Sequence, residues 1–153
     1  MADKQAPLKR PESVLVVVYT TTGEVLLLKR TDHPNFWQSV TGAMRWDEHD
    51  PRDTAMRELR EETGLVVDRA AFRDLGLVQR YAILPQWRNR YAADVTHNTE
   101  HAFAVELPAE VPLPAHPEHS EYGWFGFAAA VTMATSWTNR AAINQIPKRL
   151  RRS

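Results

Sequence analysis

The chain has 153 residues, which suits one domain with a substantial core but not two well-developed ones. Lysine plus arginine and aspartate plus glutamate each total 19, so the net charge gives no reason to expect nucleic acid or a membrane surface as a partner. The absence of cysteine excludes a disulfide scaffold, a thiolate zinc site and a cysteine nucleophile. Without an apolar signal-peptide core or a run long enough to cross a bilayer, we expect a cytoplasmic protein.

Strands are predicted in the first part of the chain. Val14–Thr20 is apolar and rich in β-branched residues, and Glu24–Arg30 continues with the apolar run Val25–Leu28. The turn residues at 21–23 between them predict a buried hairpin. Phe36–Val40 alternates large and polar side chains, which predicts a third short strand after a polar loop.

A helix is predicted between residues 50 and 64. Asp50 can cap the first turn, and Pro51 suits the first helical position. Asp53 adds favourable negative charge near the same end, and Gly64 marks the other end.

Further strands and a second helix are predicted in the remainder of the chain. Strand-like stretches follow at Leu75–Leu84, Glu100–Leu107 and Tyr122–Phe127. The proline-rich segment Pro108–Pro117 predicts a loop. Residues from about Ser136 to Leu150 predict an amphipathic helix that ends near Pro147.

The order of these elements predicts the fold class. Strands, an inserted helix, more strands and a last helix indicate an α+β protein, an α/β/α sandwich in which helices flank a mixed sheet. We expect a single domain over residues 1–153, with flexible ends at about 1–9 and 148–153.

Three carboxylates share one face of the first predicted helix. Glu61 and Glu62 follow Glu58 at i,i+3 and i,i+4, so the three like charges repel one another. A divalent cation offsets that repulsion, because Mg²⁺ takes oxygen ligands and commonly bridges protein carboxylates to substrate phosphates. Arg57 lies one turn before Glu61 and can orient it. In isolation, a helix rich in glutamate and arginine is also typical of a solvated surface.

The order of residues favours the metal site. Nine consecutive positions, Arg57 to Leu65, run Arg-Glu-Leu-Arg-Glu-Glu-Thr-Gly-Leu behind a predicted strand that ends in Thr41-Gly42. This pattern resembles the Nudix hydrolase signature: glycine, five residues, glutamate, seven residues, then Arg-Glu-apolar-any-Glu-Glu-any-Gly-apolar. The resemblance implies a Nudix-type mixed sheet flanked by helices, and hydrolysis of a phosphoanhydride bond.

The first half of the signature is irregular. Five residues separate Gly42 from Glu48, as required, but eight instead of seven separate Glu48 from Arg57. Counting back from Arg57 without a gap puts Ala43 at the glycine position and His49 at the first glutamate position. We favour one extra residue in the loop 43–48, which keeps Gly42 in its usual role and leaves either Glu48 or His49 as the substitute.

Segments outside the signature indicate a subfamily. They are Lys9–Pro11, Asn35–Gly42, Trp87–Ala92, Val95–Glu100 and Thr135–Arg140. Together they resemble the bacterial dihydroneopterin triphosphate diphosphatases of folate synthesis. The resemblance implies conversion of 7,8-dihydroneopterin 3′-triphosphate to the monophosphate and pyrophosphate. Catalysis of that reaction must come from positioning the substrate and neutralising charge on its phosphate oxygens.

Site residues follow from the helix pattern and from the resemblance. Glu58 and Glu62 are predicted to bind Mg²⁺, with Mn²⁺ as an alternative because both ions accept oxygen ligands. Glu61 is predicted to be a further ligand or the general base. Glu118 precedes a predicted strand that contains a tryptophan, where many Nudix enzymes carry another carboxylate, so it completes the metal site or takes the proton of the attacking water. Arg57 is predicted to take part in catalysis by orienting Glu61.

Substrate contacts are expected from cations and hydroxyls. Lys9, Arg30, Thr41 and Ser136 match subfamily positions and can donate to phosphate or to the side chain linked to the pterin. The six histidines show no close ligand spacing such as i,i+4 on a helix, so a histidine zinc site is not expected.

Two alternatives stay open beside the folate-pathway enzyme. One is a Nudix hydrolase of another nucleotide, such as an oxidised deoxynucleotide or a nucleoside diphosphate derivative, because substrate choice lies in loops. The other is a Nudix-like nucleotide-binding module with weak catalysis, which the irregular spacing before the helix motivates. In each case the expected partner is a small molecule, a triphosphate in the first reading, and neither nucleic acid nor a membrane. The sequence leaves the oligomeric state open.

Overall fold

In the computed structural model, which describes residues 7–33 and 35–150, seven strands form one mixed sheet and three α-helices pack on it. The strands are β1 (Glu12–Thr20), β2 (Glu24–Arg30), β3 (Trp37–Gln38), β4 (Val40–Ala43), β5 (Arg73–Ala82), β6 (His97–Leu107) and β7 (His119–Gly126). The helices are α1 (Pro51–Thr63), α2 (Phe127–Met133) and α3 (Trp137–Leu150). Two 3-10 segments cover Arg69–Ala71 and Pro85–Arg90.

Strand β1 is the centre of the sheet. It runs parallel to β6 along its whole length, from Glu12 opposite Thr99 to Thr20 opposite Leu107, and antiparallel to β4. It pairs with β2 only beside the hairpin turn, and β2 then diverges to pair with β3 and β7. The last strand, β5, pairs with β6. The parallel pair makes the sheet mixed, as predicted.

Helices cover both faces of the sheet. Ala55 and Leu59 of α1 are fully buried and belong to one core cluster with alternate residues of β1, namely Val14, Val16 and Val18. On the opposite face, Ile143 and Ile146 of α3 and Ala130 of α2 pack with Leu15, Val17 and Tyr19 of β1. Because successive strand residues point to opposite faces, the apolar run of β1 fills both cores. The predicted α/β/α sandwich is confirmed.

Helix α1 has the predicted ends. The side chain of Asp50 accepts a hydrogen bond of 3.0 Å from the backbone N–H of Arg52, and Pro51 occupies the first helical position. Gly64 adopts the left-handed conformation with φ of 77°, and its N–H bonds back to the carbonyl of Arg60. These local signals fix where the glutamates lie along the helix.

The prediction of one strand over Phe36–Val40 was wrong. The segment forms β3 and β4, which pair with different strands and are separated by the buried Ser39. Asn139 on α3 causes the break, because its Oδ1 accepts from the backbone N–H of Ser39 at 2.7 Å and its Nδ2 donates to Ser39 Oγ at 2.9 Å. A side chain therefore takes the place of a strand neighbour at this residue.

The C-terminal elements also differ from the prediction. The strand expected over Tyr122–Phe127 ends at Gly126, and α2, which was not predicted, begins at Phe127. Pro147 lies inside α3 instead of ending it. The helix continues because Ile143 and Ile146 anchor it in the core, and this packing outweighs the backbone hydrogen bond that proline removes.

The predicted flexible ends, 1–9 and 148–153, fall largely outside the described part of the chain. Residues 1–6 and 151–153 are outside it, and the backbone of 148–150 continues α3. None of the helices within residues 7–33 and 35–150 combines the length and apolarity that crossing a lipid bilayer requires.

Candidate functional site

The three glutamates of α1 occupy different environments. Glu62 is 5% exposed, whereas the side chain of Glu61 is 40% exposed. Glu58 lies between them in burial and faces β4. The helix thus presents two carboxylates against the sheet and one at the surface, as its amphipathic pattern requires.

Gly42 on β4 makes room for Glu58. A Cβ atom at residue 42 would lie 2.6 Å from Glu58 Cγ and closer still to the carboxyl group, so no other residue fits without displacing Glu58. The glycine of the signature therefore serves close approach of helix and strand, and Gly42 has the role that we expected for it.

Arg57 connects the carboxylates of the site. Its guanidinium donates to Glu58 Oε1 at 2.6 Å, to Glu61 Oε2 at 3.1 Å and to the carbonyl of Ala43 at 3.1 Å. It also donates to both oxygens of Glu48, at 2.8 Å and 2.9 Å. A planar guanidinium with five donors can satisfy several acceptors at fixed angles, which suits it to position Glu61 as the spacing predicted.

Glu48, and not His49, takes the place beside the signature arginine. The hydrogen bonds from Arg57 hold the pKa of Glu48 at about 2, and the backbone N–H of Arg45 and the hydroxyl of Thr54 add to the effect. His49 is exposed. Gly42 and Glu48 keep the five-residue spacing of the signature and both contact α1, which favours an additional residue between Glu48 and Arg57 over the loop 43–48 that we expected. The position of this residue stays a prediction.

Glu62 is a buried carboxyl group with an unsatisfied oxygen. Its Oε1 has no hydrogen-bond partner, while the backbone N–H of Thr41 donates to the same side chain. Burial raises the pKa of Glu62 well above its ordinary value. Glu58 raises this pKa further through a hydrogen bond and its negative charge, and the charge of Glu118 adds to the effect. Glu118 thus lies within electrostatic reach of Glu62, and its part in the metal site stays a prediction.

This donor set fits a hard divalent cation. The carboxyl group of Glu62, whose pKa is raised by burial and by the neighbouring Glu58 and Glu118, is relieved together with its unpartnered oxygen when a cation neutralises it. Among residues 7–33 and 35–150, however, no three His, Cys, Asp or Glu side chains already converge at ligand distances. Arg57 donates to one oxygen of Glu58 and to both oxygens of Glu61, so Glu58 keeps its other oxygen for a metal.

His119 was missed by the sequence reasoning. Its Nε2 lies 3.4 Å from Glu62 Oε1, and its ring lies 5.1 Å from that of His116 between centroids. Burial and the nearby His116 lower the pKa of His119 to about 4, so the ring is neutral at pH 7. His119 has no helical ligand spacing to another histidine, and its signal in the sequence is its position directly after Glu118.

Lys9 and Arg30 meet in a cationic cluster beside the carboxylates. Desolvation and the positive charges of Arg90 and Arg30 lower the pKa of Lys9, whereas Glu118 and Glu58 raise it. The backbone N–H of Lys9 donates to the carbonyl of Arg90 at 2.8 Å. The predicted pair is therefore joined by a third cation, Arg90.

Arg30 is held in place by an acid and an aromatic ring. It donates to both oxygens of Asp32 at 2.7 Å, and its guanidinium carbon lies 4.4 Å from the centroid of Trp87. Asp32 also lies 3.9 Å from Arg90, so one carboxylate is shared by two guanidinium groups. The cluster has an excess of positive charge that suits it to an anion.

The two predicted hydroxyl residues make contacts within the fold. Thr41 Oγ1 donates to the carbonyl of Val14 at 3.0 Å. Ser136 Oγ accepts from the backbone N–H of Asn139 at 3.2 Å, in the first turn of α3. Their contact with a substrate stays a prediction.

The chain was compared with known families, curated proteins and solved structures. The NUDIX domain family matches residues 9–145. The dihydroneopterin triphosphate diphosphatase of Escherichia coli K12 is 41% identical over 145 residues, which cover 93% of this chain and 95% of that protein. The protein of the same name from Haemophilus influenzae is 42% identical over 147 residues, or 94% and 92% of the two chains.

A solved structure gives the same result for the fold. The E. coli dihydroneopterin triphosphate pyrophosphohydrolase superposes with a TM-score of 0.81 and 41% identity, covering 92% of this chain and 97% of that one. Nudix hydrolases generally use divalent metal cations, which agrees with the chemistry of the α1 glutamates. The signature on α1, the sheet topology and these matches show together that the chain belongs to the Nudix family.

Proposed function

We propose that the chain hydrolyses dihydroneopterin triphosphate to the monophosphate and pyrophosphate, with Mg²⁺ as its cation. The chain is a hydrolase of phosphoanhydride bonds, and its curated relatives at 41% and 42% identity carry this activity in their names. The observation that carries the proposal is the buried Glu62, whose unpartnered oxygen lies among Glu58 and Glu118. A cation neutralises all three groups at once.

The metal ligands are Glu58, Glu62 and Glu118, with Glu61 at the exposed edge. When bound, Mg²⁺ neutralises charge on the phosphate oxygens and orients them for displacement. Mn²⁺ accepts the same oxygen ligands and serves as an alternative. Arg57 donates hydrogen bonds to Glu58 and Glu61 and is a positioning residue for them.

The chain's other residues bind the triphosphate and handle the proton. Lys9 and Arg30 bind phosphate oxygens, and Arg90 adds a third cation. Water attacks phosphorus, the bond between the first and second phosphates breaks, and the proton of that water passes to a carboxylate. Glu118 and the exposed Glu61 are the two carboxylates available for it.

Substitution of Glu62 by glutamine tests the proposal. Because a metal ligand supplies several kcal/mol to the transition state, Glu62→Gln should lower kcat by about a thousandfold and weaken Mg²⁺ binding. Pyrophosphate release should be measured on dihydroneopterin triphosphate, GTP, dATP and ADP-ribose, with the exposed Glu110→Gln as matched control. Unchanged Mg²⁺-dependent turnover in Glu62→Gln, or a preference for another substrate, would overturn the proposal.

The alternative of a binding module loses its motivation. It rested on the irregular spacing before α1, yet Glu48 makes two hydrogen bonds to Arg57 and Gly42 admits Glu58. The extra residue is accommodated outside these contacts. Hydrolysis of another nucleotide stays the competing reading, and the same substrate panel decides it.

A further inference from the structure

Two buried acceptors on β6 lack hydrogen-bond partners. Asn98 and Glu100 are 2% and 3% exposed, and neither Asn98 Oδ1 nor Glu100 Oε1 has a partner. The two residues alternate along one strand, so both side chains lie on the face of the sheet that α3 covers. An unsatisfied buried acceptor is costly, and two of them side by side indicate that something else donates to them.

The neighbouring side chains leave these two oxygens unpaired. Asn98 Nδ2 donates to Ser13 Oγ at 2.7 Å and to the hydroxyl of Tyr81 at 3.1 Å. Thr138 donates to Glu100, which leaves the other oxygen of that carboxyl free. This acceptor cluster, Asn98 and Glu100, therefore has more acceptor atoms than its neighbours satisfy, and a ligand that fits it must offer N–H or O–H groups.

The acceptor cluster lies on a strand close to the one that receives Glu58. Ser13 pairs with Glu100 on one side and with Ala43 on the other, and the next residue of β4, Gly42, is the one that receives Glu58. Two strand spacings, about 10 Å, therefore separate Glu100 from the strand that receives Glu58. Glu100 is on the face that α3 covers and Glu58 on the face that α1 covers, so a substrate with a triphosphate tail reaches both round the end of the sheet where β1 begins and β4 ends.

Successive side chains connect the acceptor cluster to the cationic cluster. Glu100 raises the pKa of Tyr81 beyond the effect of burial, and Tyr91 acts on Tyr81 in the same way. Arg90 and Arg30 in turn lower the pKa of Tyr91, which burial raises. The cationic cluster and the acceptor cluster thus lie at the two ends of one row of neighbouring side chains.

The cationic cluster and the acceptor cluster together indicate the chemistry of the ligand. We propose that Glu100, with Asn98 beside it, binds the 2-amino-4-oxopyrimidine edge of the substrate, which pterins share with guanine. That edge presents a ring N–H next to an exocyclic amino group, and one carboxylate accepts from both. Adenine and uracil have no such pair of adjacent donors. The inference rests on the proposed function, and it assigns the part of the substrate that the metal site does not touch.

Substrate discrimination tests the assignment. Because hydrogen bonds to a charged group are among the stronger ones, Glu100→Gln should lower kcat/KM about tenfold to a hundredfold for dihydroneopterin triphosphate and for GTP. It should leave the slower hydrolysis of ATP and UTP unchanged. Glu106→Gln is the matched control, since Glu106 is exposed on the same strand. Equal loss on all four substrates would show a structural role and overturn the inference.

Binding of phosphate-free neopterin gives a second readout that does not need turnover. Pterin fluorescence should report binding to the wild type and to Glu106→Gln, and weakened binding to Glu100→Gln, in variants whose circular dichroism is unchanged. Equal neopterin affinity in the wild type and Glu100→Gln would overturn the assignment, with a buried water satisfying the acceptors instead. If the wild type releases no pyrophosphate from dihydroneopterin triphosphate, the proposed function fails, whereas neopterin binding and the preference for GTP over ATP still test Glu100.

Discussion

Glu58 on α1 lies against Gly42 on β4 so closely that residue 42 cannot carry a side chain while Glu58 stays in place. The strand thereby fixes the position of a predicted metal ligand. Gly42 is not in the left-handed region, so the backbone accepts alanine and only the contact is changed.

Gly42→Ala should therefore damage the site more than the fold. The added methyl group displaces Glu58, and we expect a loss of most Mg²⁺-dependent turnover together with a stability cost of about 1–3 kcal/mol. Steady-state kinetics and urea unfolding measure the two effects. Gly126→Ala is the control, because a Cβ there meets nothing within 4 Å. Normal activity in Gly42→Ala would show that Glu58 is not needed where it lies.

The contact between Glu48 and Arg57 predicts a loss of stability in acid. A carboxyl group whose folded pKa is about 2, below its ordinary value of 4.5, stabilises the fold above pH 4.5 and loses this contribution as the pH falls toward 2. Glu48→Gln should be less stable than the wild type at neutral pH and change less over that range. Urea unfolding from pH 7 to pH 2 measures this, with Glu110→Gln as control. Parallel curves for the wild type and Glu48→Gln would contradict it.

The buried Glu100 predicts the opposite dependence on pH. Burial raises the pKa of Glu100 to about 7, from an ordinary value of 4.5. The protonated carboxyl group therefore leaves the stability of the fold intact below pH 4.5, and stability is lost as the pH rises through 7 and the buried group ionises. The free energy of unfolding that is lost over this pH range amounts to about 3 kcal/mol. Glu100→Gln should therefore be more stable than the wild type at pH 8 by roughly that amount, and close to it at pH 4.5. Thermal unfolding at both pH values checks this, and a destabilised variant at pH 8 would refute it.

The pair of Ser39 and Asn139 predicts an effect on stability. Asn139→Ala leaves the N–H and the hydroxyl of Ser39 buried without partners, which should cost about 2–4 kcal/mol. Asn144→Ala on the exposed side of the same helix should change stability by no more than about 0.5 kcal/mol. Urea unfolding compares them, and equal stabilities would show that the bend at Ser39 does not depend on Asn139.

Local signals explain what the sequence could predict. The ends of α1 follow from Asp50, Pro51 and Gly64, each of which acts on its own neighbours. The shared face of Glu58 and Glu62 follows from helical spacing alone. For these features, no knowledge of distant residues was needed.

Distant contacts explain what the sequence could not predict. Ser39 interrupts a strand because its backbone N–H donates to Asn139, which lies 100 positions later in the chain. Helix α2 has no side-chain cap, and it forms where Ala130 is buried against the core. A glutamate in a strand is usually solvated, so nothing local indicated that Glu100 is buried.

The long parallel pairing of β1 with β6 has a consequence for how the chain is made. Strand β1 can pair with β6 only after β6 has been synthesised, because Glu12 pairs with Thr99 and Thr20 with Leu107. Such high contact order slows folding, and it leaves the apolar β1 without that neighbour while the ribosome completes most of the chain. Nascent chains that stop before His97 should therefore aggregate unless a chaperone covers this strand.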